Sequence, residues 1–257
     1  MFEYHYPLFE KKRILRAEML EQLRDYPKDL IQLSFDGFGN GIVKGCEITW
    51  EKDCLTIHKG MIYYNGNLYF LRQPYELECK ANDRLRYVKV QFLTEVVEIG
   101  KVSGSTRILL EEKEVDEACE LELGRFRLQE GARLRDCYED FEDYSTRYDT
   151  VNKIYAPYAV LGGTTLQPDI IKSFAKEMLQ KQVSDPYDIS FALLVLGNEG
   201  KVGIDCIKQY LQIKMKQNIS MKNEEVYDCF LQLLKKEQEN VQLPQREVRG
   251  NKNILLI

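Results

Sequence analysis

The 257-residue chain is 44% apolar and 30% charged, enough for a substantial core beneath a soluble surface. A formal charge of −5 speaks against broad nucleic-acid binding, which relies on Lys and Arg to neutralise phosphates. No apolar run reaches the length of a membrane span, MFEYHYPLFEKKRIL lacks the features of a signal peptide, and seven irregularly spaced cysteines read as the reduced thiols of a cytoplasmic protein.

In chain order, Phe9 to Tyr26 reads as an amphipathic helix with Leu15, Met19, Leu23 and Tyr26 on one stripe, stopped by Pro27. Alternation then places Ile42, Cys46, Ile48 and Trp50, followed by Leu55 and Ile57, on the buried face of strands. Asn65-Gly66 predicts a type I′ hairpin turn that sets Tyr63 opposite Leu68 and Met61 opposite Phe70, four large side chains on one face. Gly41, Gly45 and Gly60 fall where the chain turns or bulges.

A strand follows with Val88, Val90 and Phe92 inward, then a loop over Gly100 to Ser105 and a short strand from Thr106 to Leu110. Cys119 to Leu128 alternates again with Leu121 and Leu123 inward. Its phase changes at Gly124, which predicts a bulge. Tyr155 to Pro168 reads as a connector holding the domain boundary.

Beyond it the apolar period lengthens to that of helices. Pro168 suits a first helical turn, with Ile170, Ile171, Phe174, Met178 and Leu179 inward. Ser184 is the candidate N-cap of a second helix burying Ile189, Ala192, Leu193 and Leu196 and ending at Gly197. Ile204, Ile207, Tyr210 and Leu211 mark a third helix, and Val226, Phe230, Leu233 and Leu234 a fourth. A polar stretch then leads to Ile254-Leu255-Leu256-Ile257.

The expected fold class is α+β: an N-terminal helix (1–27), an antiparallel β sandwich or barrel (28–150), a connector (151–167), a helical bundle (168–238) and a polar tail with an apolar end (239–257).

Catalytic patterns are sparse. His5 and His58 have no nucleophile beside them in sequence, and Cys46, Cys54, His58 and Cys79 fit no paired zinc-ligand spacing. The glycine loops at 100–104 and 197–201 lack the order of a phosphate loop. Asp136, Glu139, Asp140, Glu142 and Asp143 form an acidic run with interleaved arginines, a salt-bridged face or, in the alternative reading, the carboxylates of a carbohydrate-active hydrolase. No catalytic residue, cofactor or metal is expected.

Two stretches resemble baseplate and tail-fibre-attachment proteins of tailed bacteriophages and phage-tail-like particles. Gly41-Ile42-Val43-Lys44-Gly45-Cys46-Glu47-Ile48, followed by Leu55 to Leu71, is similar to their glycine-framed "G-[IV]-V-x-G-C-x-[IV]" pattern. Glu120-Leu121-Glu122-Leu123-Gly124-Arg125-Phe126, then Leu134-Arg135-Asp136, resembles a second run, with Gly124 where alanine is usual and Cys137-Tyr138 where the family has arginine. A further likeness, through the leading helix and Ile154-Tyr155-Ala156-Pro157-Tyr158, extends to the baseplate adaptor of type VI secretion.

The resemblance implies a non-enzymatic structural subunit, homo-oligomeric and often trimeric, that joins a baseplate to fibres or receptor-binding proteins. Such a subunit is cytoplasmic before assembly and part of the virion or tail-like particle afterwards. Other baseplate or tail-fibre proteins are the expected partners, with neither nucleic acid nor a membrane span. A cytoplasmic protein–protein adaptor is the alternative. Leu15, Met19, Leu23, Tyr64, Tyr69, Tyr155, Tyr158, Leu255 and Leu256 are the candidate partner-contact residues.

Overall fold

The computed structural model describes residues 3–12, 14–181 and 183–242, with side chains through residue 237. Among them are five helices, α1 (Ala17–Ser34), α2 (Pro168–Gln180), α3 (Pro186–Gly197), α4 (Ile204–Met215) and α5 (Asn223–Gln242). The strands are β1 (Gly41–Gly45), β2 (Ile48–Glu51), β3 (Cys54–Ile57), β4 (Gly60–Tyr64), β5 (Asn67–Leu71), β6 (Tyr75–Glu78) and β7 (Leu85–Phe92). They continue as β8 (Val96–Glu98), β9 (Lys101–Ser103), β10 (Thr106–Glu111), β11 (Glu120–Arg127), β12 (Tyr158–Val160) and β13 (Gly163–Thr165).

The strands form four small sheets, ordered β13-β12-β1-β4-β5, β10-β7-β11, β2-β3-β6 and β8-β9. The fold is mixed α and β, and the barrel form of the expectation is overturned: each sheet keeps its edges, and none closes among the described residues. The β4–β5 turn forms as its dipeptide requires, with positive φ at both Asn65 and Gly66, and pairs Tyr63 with Leu68 and Met61 with Phe70. The opposite face of β4 is the buried one, through Ile62 and Tyr64. In β11 the register shifts between Glu122 and Gly124, so Leu121 before the bulge, Leu123 within it and Phe126 and Leu128 after it are all buried.

Two apolar cores result. One gathers Ile42, Ile48, Leu55, Ile57, Val88, Val90, Leu121, Leu123 and Phe126 between the sheets. The other lies among α2 to α5, centred on Phe174 stacked at 4.2 Å on Phe230 and on Phe191 stacked at 4.0 Å on Tyr210. Each such side chain fully buried contributes roughly 1.5–3 kcal/mol from removal of apolar surface from water. Phe141 and Tyr144, flanking and within a short 3-10 turn (Glu142–Ser145), enter this second core, so the acidic segment is anchored to the helices.

Several expectations are corrected. The first helix does not span Phe9 to Tyr26; Phe9 to Arg16 carries no helix among its described residues, and α1 runs through Pro27 to Ser34. Proline removes one amide donor, but i→i−4 bonding resumes beyond it and closes with Phe35 N–H donating to Ile31 O. The β part is not purely antiparallel: β12, inside the expected connector, pairs parallel with β1 at Ile42↔Tyr158. Tyr158, Ala159 and Val160 are all buried, a run apolar on both faces that suits an inner strand and hides any alternation.

Gly100 to Ser105 is not a plain loop, since Lys101–Ser103 pairs with Val96–Glu98. Helix α3 is capped by Asp185 rather than Ser184, and Pro186 occupies its first turn. It buries Phe191 and Val195 while Leu193 is 57% exposed, because this helix is apolar almost all round and its period selects no face.

Candidate interaction surface

Helix α1 carries an apolar face that the described residues leave uncovered. None of its residues is buried, and Leu20, Leu23, Tyr26, Leu30 and Leu33 are exposed. Met19, Leu23, Tyr26, Leu30 and Leu33 recur at alternating four- and three-residue steps, the spacing of a seam made to meet another helix. Beyond α1, Phe35 stacks on Tyr63 at 5.3 Å. That stack carries the apolar surface from α1 onto the outer face of β4–β5, where Met61, Tyr63 and Leu68 are half-buried and Phe70 is exposed.

A second apolar element projects from the β part. Strands β7–β8 and β9–β10 form one long ribbon whose register slips by one residue between Phe92↔Thr106 and Val96↔Ser103. Its base is tied to β5: the Asn67 side-chain amide donates to Glu95 at 3.1 Å, and Tyr69 packs so close to Gly104 that an added Cβ would lie 2.9 Å from its hydroxyl oxygen. Past that anchor β8 and β9 pair with no other strand among the described residues. Val96, Val97, Ile99 and Val102 are exposed on it, Ile99 completely. Sequence reasoning missed the arm because the Gly-rich stretch read as a loop; the surviving signal was the β-branched run Val96-Val97 facing Val102.

The expected contact residues divide. Leu15, which precedes α1, and Leu23 within it are exposed, and Met19 is half-buried. Tyr64 and Tyr158 are instead core residues: Tyr64 stacks on Phe92 at 3.6 Å and donates to Ala118 O, and Tyr158 donates to Val43 O at 2.8 Å. Their aromatic bulk satisfies the interior, with the hydroxyls reaching backbone carbonyls. Tyr69 anchors the arm from within, and Tyr155 is engaged at the junction of the two cores. Leu255 and Leu256 lie outside the described residues.

At that junction the Arg125 guanidinium holds both Glu122 oxygens at 2.7 and 2.8 Å and lies over the Tyr155 ring. The Tyr155 hydroxyl donates to Glu224 of α5 at 2.7 Å. Burial pushes the Glu122 carboxyl up despite Arg125. These groups line a cleft of about 780 Å³ between β11 and the start of α5. Lys89, fully buried, pairs with Glu120 at 2.8 Å and Glu111 at 3.1 Å, tying β7 to both its neighbours.

Among the described residues no group of three or more His, Cys, Asp or Glu is placed to hold a metal. Burial, with Glu47 beside it, pushes the Cys46 thiol up to about 12, and burial raises Cys79. His58 shares a hydrogen bond with Thr49. The acidic run is largely consumed in local structure: Asp143 takes a two-pronged Arg135 pair, Asp140 accepts the Asp143 amide, and Glu142 pairs with Lys235. No helix among the described residues is long and apolar enough to cross a membrane.

No protein-family model and no curated protein matches the chain. Solved structures with a likeness to it include a crystal structure of TssK, at 11% identity and TM-score 0.44, covering 94% of this chain and 73% of that one. Another is the TssK-TssF-TssG baseplate subcomplex of the type VI secretion system, at 9% identity and TM-score 0.42, covering 93% and 100% of the two chains. A third is the baseplate complex from the type VI secretion system, at 12% identity and TM-score 0.40, covering 93% and 70%.

Proposed function

We propose that the chain is a non-catalytic structural component of a phage tail or phage-tail-like (contractile injection) baseplate, joining the baseplate to fibres or receptor-binding proteins. One observation carries the reading: α1 is an 18-residue amphipathic helix with no buried residue. A helix of that length draws little stability from its own hydrogen bonds and needs an apolar face packed against something else. Its heptad-like seam fits another helix, as in a part whose work is assembly. The glycine-framed strands from Gly41 to Leu71, and the bulged strand around Gly124, are the stretches that carry the sequence resemblance to baseplate proteins, and both lie in the β part that follows this helix.

The test is incorporation into particles from cells that make the chain. Wild type sediments with assembled tail-like particles, and L23D/L30D, which alters only exposed side chains, remains in the supernatant. A wild-type chain absent from such particles overturns the reading, as does a double variant that still enters them.

A further inference from the structure

Arg125 and Arg127 lie two apart on β11, on the side away from buried Phe126 and Leu128. The segment after the 3-10 turn runs along the outer edge of this strand. There the Asp149 amide donates to Arg127 O at 2.8 Å, and Arg125 and Asn152 exchange backbone bonds at 3.0 and 2.7 Å. The walls so formed enclose a pocket of about 280 Å³ that includes Arg125, Arg127 and Arg147, the rings of Tyr148 and Tyr155, and the Asn152 side chain. No Asp or Glu lines it, although the chain as a whole carries a formal charge of −5.

The three guanidiniums are not equally committed. Arg125 is held by Glu122. Arg127 is half-buried, and its side-chain partner is the neutral Tyr148, whose hydroxyl it reaches at 3.4 Å and whose ring it faces. Arg147 has no hydrogen bond, ion pair or ring contact among the described residues. Asn152 takes the Ile154 amide with its side-chain oxygen, which leaves the side-chain NH₂ to donate elsewhere. The nearest carboxylates in sequence are engaged: Asp149 accepts the Gln129 amide and Asp143 holds Arg135. Two positive charges without a counter-ion and an amide donor therefore converge on one recess.

We infer that this pocket binds the carboxylate side chains of an acidic segment in a partner protein. A guanidinium presents a planar fork that pairs bidentately with a carboxylate, and a partly desolvated one gains more from the pair than one at the surface. The volume lies at the bottom of the range for small-molecule sites, which gives room for a side chain rather than a cofactor. The tyrosine rings and the Asn152 amide offer packing and a hydrogen bond to the stem and backbone that carry a carboxylate, and a free anion would use neither. Tyr148 is 44% exposed and Arg147 is exposed, so a passing chain reaches the recess without opening the fold. This site is independent of the baseplate reading, which rests on the apolar seam of α1.

Fluorescence anisotropy of fluorescein-labelled hexaglutamate titrated with the full chain at low salt tests it. Wild type binds the peptide, more weakly as ionic strength rises, and R127M/R147M lowers the affinity at least about tenfold with an unchanged circular dichroism spectrum. R72M/R107M removes the same charge from exposed positions just past β5 and on β10, and it binds as wild type does. Unlabelled hexaglutamate displaces the probe, and inorganic phosphate at the same concentration does not. A wild-type chain that fails to bind overturns the inference, as does an R127M/R147M chain of wild-type affinity. So does an equal loss in R72M/R107M, which would mean general surface charge, or displacement by phosphate as effective as by the peptide, which would mean a site for a free anion. L23D/L30D retains full peptide affinity, so failure of this site and failure of the baseplate reading are told apart.

Discussion

The guanidinium carbon of Arg125 lies 3.4 Å from the centre of the Tyr155 ring, while the Tyr155 hydroxyl holds Glu224 on the first turn of α5. A strand of one core is thus clasped to a helix of the other through two side chains. Removing Arg125 strands a nearly buried Glu122 carboxylate and uncovers one face of Tyr155. R125A is expected to cost about 3 kcal/mol in urea unfolding, and E122Q/R125M considerably less because it leaves no orphaned charge.

Within the helices, Lys214 joins Asp185 at 2.6 Å and the fully buried Asp188 at 2.7 Å, and Tyr210 donates to Asp188 at 2.8 Å. K214M leaves Asp188 with the tyrosine alone and is expected to lower stability by about 3 kcal/mol. Y210F removes one hydrogen bond and costs about 1–2 kcal/mol. Thermal unfolding of the two variants is expected to rank them in that order.

Asp143 supplies a pH dependence. Burial alone would raise its pKa, but the Arg135 guanidinium, the Glu139 amide and the Thr146 hydroxyl outweigh burial and hold it below the usual carboxylate value of 3.8. A depressed carboxyl contributes stability that is present above the unfolded pKa and is lost as pH falls through the folded one. The melting-temperature gap between wild type and D143N is therefore expected to be largest near neutrality, about 1–2 kcal/mol in free energy, and to close below about pH 4.

Two glycines separate steric from conformational cost. A Cβ at Gly60 would lie 2.3 Å from Cys46 Sγ and 2.5 Å from its backbone nitrogen, so the β1–β4 junction has to shift. At Gly66 nothing lies within 4 Å, and only the positive φ of 82° opposes a side chain. G60A is expected to cost more than about 2 kcal/mol and G66A about 1 kcal/mol, read as urea midpoints at constant slope.

Local signals in the chain were legible and long-range pairings were not. Asn65-Gly66 disclosed a turn and its register, and Gly124 disclosed a bulge, because each depends on backbone sterics within a few residues. Val226, Phe230, Leu233 and Leu234 disclosed the buried face of α5 because its other side is polar. The β1–β12 pair joins residues more than a hundred positions apart, and nothing near Ile42 announces Tyr158. Nothing nearby in sequence announces the burial of Glu120, Glu122 and Lys89, because their partners sit on other strands or across a bulge. Among the expected contact residues Leu23 is exposed, whereas Tyr64 and Tyr158 are buried with hydroxyl partners that no spacing reveals.

Amide hydrogen exchange over Ala17–Ser34, compared between the free chain and the chain within assembled particles, addresses the central claim most directly. The account predicts exchange near the unprotected rate in the free chain and strong protection along α1 after assembly. Equal exchange in the two states would contradict it.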